Sequence, residues 1–152
     1  MTSMSLPREA STRLPFSGAR LAEIGATVLR VGAGALFLEH GLQKLFGLFG
    51  GFMGTPGATA PLMSQMGLAG VLETVGGLLL IVGFLTRPVA FVLLGEMLFA
   101  FLTVHAPQGG APVQNGGELA LLYAAVFAFL LASGSGRLSL DHRLLARRRS
   151  GS

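Results

Sequence analysis

The side chains that could do chemistry here are few, and their positions single them out. Of seven acidic residues, four (Glu39, Glu73, Glu96 and Glu118) lie in or at the edge of long apolar stretches. A charged residue at the centre of a bilayer costs at least about 2.5 kcal/mol on insertion scales, so such residues face the inside of a bundle, find partners and mark function by default. Counting along the stretches places a group of polar residues near one membrane face. His40, Gln43 and Lys44 end the first stretch, and Glu73 lies about one and a half turns into the second. His105 ends the third; Asn115 and Glu118 lead into the fourth, with Tyr123 about a turn deeper. His40 and Lys44, four apart, share one helix face. A histidine or lysine donates a hydrogen bond to a ring carbonyl, a buried glutamate shuttles a proton, and a histidine does either. A quinone, an amphipathic ring carbonyl that enters from lipid, fits such a set. The expected roles are proton transfer for Glu73 and Glu118, and ligand binding for His40, Gln43, Lys44, His105, Asn115 and Tyr123. Taken singly, each residue also reads as an interfacial anchor or a helix cap.

Toward the opposite face, Arg30 and Glu96 reach depths that differ by roughly 3 Å at a helical rise of about 1.5 Å per residue, which predicts a structural ion pair. Metal chemistry has little support. The chain has no cysteine, which removes thiolate zinc sites and iron–sulfur clusters. Axial haem ligation by His40 and His105, or soft copper ligation by Met53, Met63 and Met66, has no spacing signature. No resident cofactor is fixed by these residues, and quinone fits them better than haem.

The elements that must position these groups are membrane helices. The chain is 51% hydrophobic and 12% charged over 152 residues, about half the charge of an ordinary soluble domain. Apolar stretches recur at residues 24–38 (continuing to 46), 67–85, 88–104 and 119–132. A span needs roughly 20 apolar residues, and neither Leu78-Leu79-Leu80-Ile81-Val82 nor Ala124-Ala125-Val126-Phe127-Ala128-Phe129 has the polar face of a soluble bundle helix. Glycines such as Gly34, Gly76 and Gly77 inside the spans suit close helix packing in lipid. Thr86-Arg87-Pro88 makes a tight connection, so the second and third spans are expected to form an antiparallel hairpin. The expected fold is an all-α integral membrane bundle of four transmembrane helices.

The arginines set the orientation. They concentrate before the first span, at Arg87 and after the last span, whereas residues 47–66 and 106–117 contain neither Lys nor Arg. The positive-inside rule then puts both termini in the cytoplasm. Glu39-His40-Gly41 stands where a signal-peptide cleavage site would lie, so the first span is read as retained. The net charge of +4 is carried by the ends rather than spread over a binding face, which argues against nucleic acid as a partner. Three segments follow: a basic leader without fixed structure (1–22), the four-span domain (23–135), and a basic tail (136–152). Leu140, Leu144 and Leu145 set opposite arginines give that tail the pattern of a short interfacial helix.

In this order and spacing the motifs resemble the DoxX family. They are His40-Gly41-Leu42-Gln43-Lys44-Leu45-Phe46-Gly47, Glu73-Thr74-Val75-Gly76-Gly77, Gly83-Phe84-Leu85-Thr86-Arg87-Pro88, Val104-His105, Asn115-Gly116-Gly117-Glu118-Leu119 and Gly136-Arg137-Leu138-Ser139-Leu140-Asp141. The resemblance implies a four-helix protein of the bacterial inner membrane. Some relatives are subunits of thiosulfate:quinone oxidoreductase, and others associate with redox-stress enzymes. The polar positions it brings forward are His40, Gln43, Lys44, Glu73, Arg87, His105, Asn115 and Glu118. Without cysteines this chain has no thiol relay of its own. The expectation is a membrane subunit or partner of a quinone-linked redox system, touching the lipid bilayer and either a redox-protein subunit or further copies of itself. Two alternatives stand beside it: a non-catalytic membrane scaffold for redox-stress partners, and a small transporter or proton channel.

Overall fold

The computed structural model describes residues 17–150, and all of the regular structure in them is helical. The helices are α1 (Gly18–Phe46), α2 (Gln65–Val82), α3 (Thr86–Ala100), the single turn α4 (Pro112–Asn115), α5 (Glu118–Ser133) and α6 (Leu140–Ser150). A π-helical turn over Phe101–His105 and a 3-10 turn over Ala106–Gln108 carry α3 onward. Three helical segments are long and apolar enough to cross a membrane: Gly18–Phe46, Gln65–Val82 and Thr86–Gln108. Helix α5 is as apolar but has 16 residues, about 24 Å at the helical rise. The chain is thus an all-α membrane protein. Of the leader, residues 18–22 already belong to α1, and residues 1–16 lie outside the described residues.

Glycine decides which helices touch most closely. A Cβ on Gly34 would sit 2.9 Å from the Gly77 carbonyl oxygen, and one on Gly41 only 2.3 Å from Thr74 Oγ1 and 2.5 Å from its amide nitrogen. Gly34 and Gly41 on α1 therefore face Gly77 and the Gly70–Thr74 turn of α2 backbone to backbone, the small-residue packing that lipid-embedded helices use. Helix α3 packs mainly on α5. Ala90, Leu93, Met97, Ala120, Ala124, Phe127 and Leu130 form a buried core with Phe37 and Leu80. Helices α2 and α3 follow one another through a tight link, as expected, and approach closely where Gly76 meets Leu93. Their packing weight, however, goes to α1 and α5 respectively. Beyond Gly76 and Leu93 they diverge, and the space between them is open.

The tail closes the other end. Helix α6 forms in the basic tail, and the Asp141 carboxylate accepts hydrogen bonds from the amides of Leu85 (2.8 Å) and Thr86 (3.0 Å). It thereby caps the start of α3 from across the chain. Leu85 stands at φ 51°, a left-handed conformation unusual for a leucine, and this cap holds it. Gly83 (φ 69°) requires glycine twice over, because a Cβ there would also lie 2.6 Å from Ser139 Cβ and 2.8 Å from Arg30 Nη1.

Candidate functional site

Where α2 and α3 diverge lies a cavity of about 820 Å3, walled by α1, α2, α3 and α5. Its polar lining is Lys44 and His40 from α1, Glu73 and Gln65 from α2, Glu96 from α3, His105 from the π-helical turn and Tyr123 from α5. The rest is apolar, including Phe37, Leu72, Met97 and Phe99. Leu68, Leu72, Val92 and Phe99 are exposed as well as cavity-lining, so the opening lies between α2 and α3 and faces the surroundings of the bundle.

Lys44 and Glu73 form a hydrogen-bonded ion pair between α1 and α2. The second carboxylate oxygen of Glu73, Oε2, is buried without a hydrogen-bond partner, and the residue is only 3% exposed. The α1 face that carries His40 and Lys44 also presents Phe37, whose ring meets Tyr123 edge to face at 4.9 Å. Phe37 likewise meets Phe127 at 4.9 Å, and His40 lies 6.3 Å from Tyr123. The aromatic cluster thus fixes Tyr123 and holds the His40 ring beside it. His105 is fixed from the other side, its Nδ1 lying 3.0 Å from the Asn115 carbonyl oxygen. The π-helical turn re-aims the end of α3 so that this contact forms, a device common at functional sites.

The structure brings together five of the eight residues assigned to chemistry: His40, Lys44, Glu73, His105 and Tyr123. The other three stand elsewhere. Gln43 donates to the Phe49 carbonyl at 3.3 Å and belongs to the loop after α1. Asn115 is buried, but its amide is used up internally: Nδ2 donates to Gly109 O (2.7 Å) and Oδ1 accepts from the Gly117 amide (2.8 Å). It holds the loop, and only its backbone carbonyl supports the site. Glu118 is exposed in the first turn of α5 and lines a second depression that adjoins the cavity at Gly116 and Leu119, without lining the cavity itself. A carboxylate there complements the positive end of the helix, and Glu118 is not brought into the cavity with Glu73.

The expected Arg30–Glu96 ion pair is corrected as well. Arg30 is 2% exposed and donates Nη1 to the carbonyls of Leu80 and Ile81 (2.9 Å for the latter) and Nη2 to that of Leu138 (2.7 Å). Two of these are last-turn carbonyls of α2, which have no partner within the helix. A guanidinium fork at the negative end of a helix is a strong solution. Depth along the bundle was a fair measure, but it says nothing about rotation about the helix axis. Arg30 shares its face with Ala33, Gly34 and Phe37 and so turns toward α2. Glu96 turns into the cavity, where both carboxyl oxygens are buried without a hydrogen-bond partner. Glu96 is the site residue that the pattern of charges flagged but assigned to the wrong neighbour. No group of three or more metal-ligating side chains occurs among the described residues.

A bundle of apolar helices around a carboxylate- and imidazole-lined cavity defines a multi-span membrane protein with a polar site built into it. The chain belongs to the DoxX family, whose profile matches residues 25–106. It is 39% identical over 118 residues to an uncharacterized protein of Haemophilus influenzae, covering 76% of this chain and 87% of that protein. It is 32% identical over 124 residues to the Bacillus subtilis protein named "Putative oxidoreductase CatD", covering 78% and 86%. It is 35% identical over 136 residues to the uncharacterized membrane protein Rv3486 of Mycobacterium tuberculosis, covering 78% and 80%. No solved structure matches the chain.

Proposed function

We propose that this protein is the membrane subunit or partner of a quinone-linked redox system, and that the cavity receives the ring headgroup. One observation carries the reading: an amphipathic cavity of about 820 Å3, with apolar walls and a narrow polar set, opens between α2 and α3 along the apolar flank of the bundle. A lipid-soluble ring enters such a mouth sideways while its chain stays in the hydrocarbon, and apolar walls with a few convergent polar groups are the usual character of a small-molecule site. His40, Lys44 and His105 stand around the ring position, and Glu73 exchanges protons, with Glu96 taking the place expected of Glu118. The oxidoreductase in the name of the Bacillus subtilis relative agrees with this reading. Membership of the family supports membrane placement, and the loops free of lysine and arginine support four crossings with both ends in the cytoplasm.

The test is a lipid extract and quinone-analogue titration of the gently purified full chain. Co-purified quinone and saturable analogue binding, lost in the His40→Ala/Glu73→Ala double variant, are the expected results. Binding that survives the double variant refutes the site. Because the chain lacks cysteine, single cysteines placed at Thr55 and Ser135 report sidedness on a clean background. Labelling of Thr55→Cys from the periplasmic face and of Ser135→Cys only after lysis is expected.

A non-catalytic scaffold is the second reading, favoured by the Lys44–Glu73 pair and the self-satisfied Asn115, both of which tie elements together. It predicts that cavity substitutions lower stability or partner capture and leave no quinone binding to lose.

A further inference from the structure

The tail end of the bundle holds a second concavity, which the proposed function does not use. It has a volume of about 390 Å3 and lies between the start of α3, the end of α5 and α6. Asp141, Leu144, Leu145 and Arg148 line it from α6, and their spacing of three, four and seven puts them on one helix face. The first member of that face docks onto the bundle, since Asp141 accepts from the Leu85 and Thr86 amides. The later members do not follow it into the core. Leu144, Leu145 and Arg148 are exposed, so α6 is anchored at its root and leaves a cleft beyond it.

Charge stands on both sides of this cleft. Arg87 lies on the α3 side, where its Nη2 donates to the Ala132 carbonyl in the last turn of α5 at 3.1 Å. Glycine at 134 keeps room for it, because a Cβ there would lie 3.1 Å from Arg87 Nε. The guanidinium is thereby held across a helix end with donors left over. Arg148 lies on the α6 side and pairs with no acidic side chain among the described residues. The one carboxylate lining the cleft, that of Asp141, is already used by two amides. The apolar lining is Leu85, Pro88, Leu144 and Leu145, and exposed Phe91, four residues beyond Arg87 on the same face of α3, continues it along the helix. Two arginines over an apolar cleft match an anion that carries its own hydrocarbon. We infer that the cleft binds an anionic phospholipid, its phosphate between Arg87 and Arg148 and the start of an acyl chain against Leu85, Leu144 and Leu145. A free phosphate ester would use the arginines and leave the leucines bare. The site is independent of the headgroup cavity, which neither arginine lines.

Phosphatidylglycerol, phosphatidylcholine and soluble glycerol 3-phosphate are titrated into the full chain in a neutral detergent, which presents no charged surface, and bound molecules are counted by native mass spectrometry. Saturable binding of phosphatidylglycerol is expected, roughly tenfold or more tighter than that of phosphatidylcholine, with no glycerol 3-phosphate bound in the same range. Each arginine beside a lipid phosphate is worth about fivefold in affinity. Arg87→Gln/Arg148→Gln is therefore expected to weaken phosphatidylglycerol binding about tenfold or more. Arg20→Gln/Arg143→Gln removes the same charge from exposed positions outside the cleft and is expected to change it less than about twofold. Arg148→Gln alone, which touches no packed part of the bundle, is expected to lose about fivefold with the fold intact. Equal losses in the two double variants would reduce the effect to diffuse attraction and overturn the site. Phosphatidylcholine binding as tightly as phosphatidylglycerol, or an unchanged affinity in Arg148→Gln, overturns it too. Glycerol 3-phosphate binding as tightly as the lipid overturns the lipid assignment in favour of a free phosphate ester.

Discussion

The two ends of this bundle treat buried charge in opposite ways. At the tail end, one arginine is inserted among helix termini and its amino groups meet carbonyls of Leu80, Ile81 and Leu138, while Asp141 caps the start of α3. Among the described residues, the buried side-chain atoms left unpartnered there are Arg30 Nε and the Thr86 hydroxyl. At the cavity end, the charges line the cavity. Lys44 and Glu73 pair with each other, and three carboxyl oxygens from Glu73 and Glu96 are left with no partner. The first arrangement ties four parts of the chain into one rigid knot. The second keeps hydrogen-bonding capacity in reserve, which is what separates a site from a structural clamp. A charge in a membrane helix is therefore no guide to its role until its acceptors and donors are counted.

Breaking one partner of each arrangement sharpens the contrast. The largest effect is expected at the cavity end, where Lys44→Ala leaves the Glu73 carboxylate buried and unpaired, a loss of about 3–5 kcal/mol. Thermal unfolding in detergent measures it, and adding Glu73→Gln should recover most of the loss. No recovery would show that Lys44 acts by packing instead. Arg30→Ala comes next. The Leu80 carbonyl keeps the Gly83 amide as a partner, so the net loss is about 1.5–3 kcal/mol, and Arg30→Lys should rescue little because an ammonium lacks the planar fork. A fully stable lysine variant would mean that charge alone holds the tail end. Gly41→Ala, beside His40 at the cavity end but outside its charged groups, is expected to force α1 off Thr74 at about 1–3 kcal/mol, the usual range for overpacking. Cross-linking between α1 and α2 would follow the separation. The smallest effect belongs to Asp141→Ala, about 1 kcal/mol for a lost cap, visible as faster proteolysis of the tail while the cavity end keeps its ligand affinity. A drop in that affinity would show the two ends to be mechanically joined.

Much of this was legible in the amino-acid order. Apolar runs located the long helices to within a few residues, because apolar length is what a bilayer selects. The leucine and arginine pattern after residue 136 fits a short helix and a frayed basic tail alike, and a helix forms from Leu140. The convergence of His40 and Lys44 with Glu73, His105 and Tyr123 was legible because these residues lie within about a turn of one depth, and depth follows from helical rise alone. What was lost depends on azimuth and on local geometry. Arg30 and Glu96 sit on faces that turn away from each other, and no count along a helix gives that angle. Asn115 lies in the connection between Ala106 and α5 and Glu118 opens α5 directly after it, where the π-helical turn and the single turn of α4 decide direction. Their side chains serve the loop and the helix start, which residue type could not distinguish from a site.

Helix α1 has 29 residues and α5 only 16, about 44 Å against about 24 Å of helix, beside a hydrocarbon layer of about 30 Å. One bilayer cannot match both. On the four crossings proposed above, the long helix leans or protrudes, and lipids along the short one shorten their reach, pulling the headgroup plane inward. Helix α5 begins at Glu118 and forms one wall of the cavity, so the dimple falls beside the cavity. The acyl-chain length of the host membrane thereby becomes part of how far water and headgroups stand from Glu73.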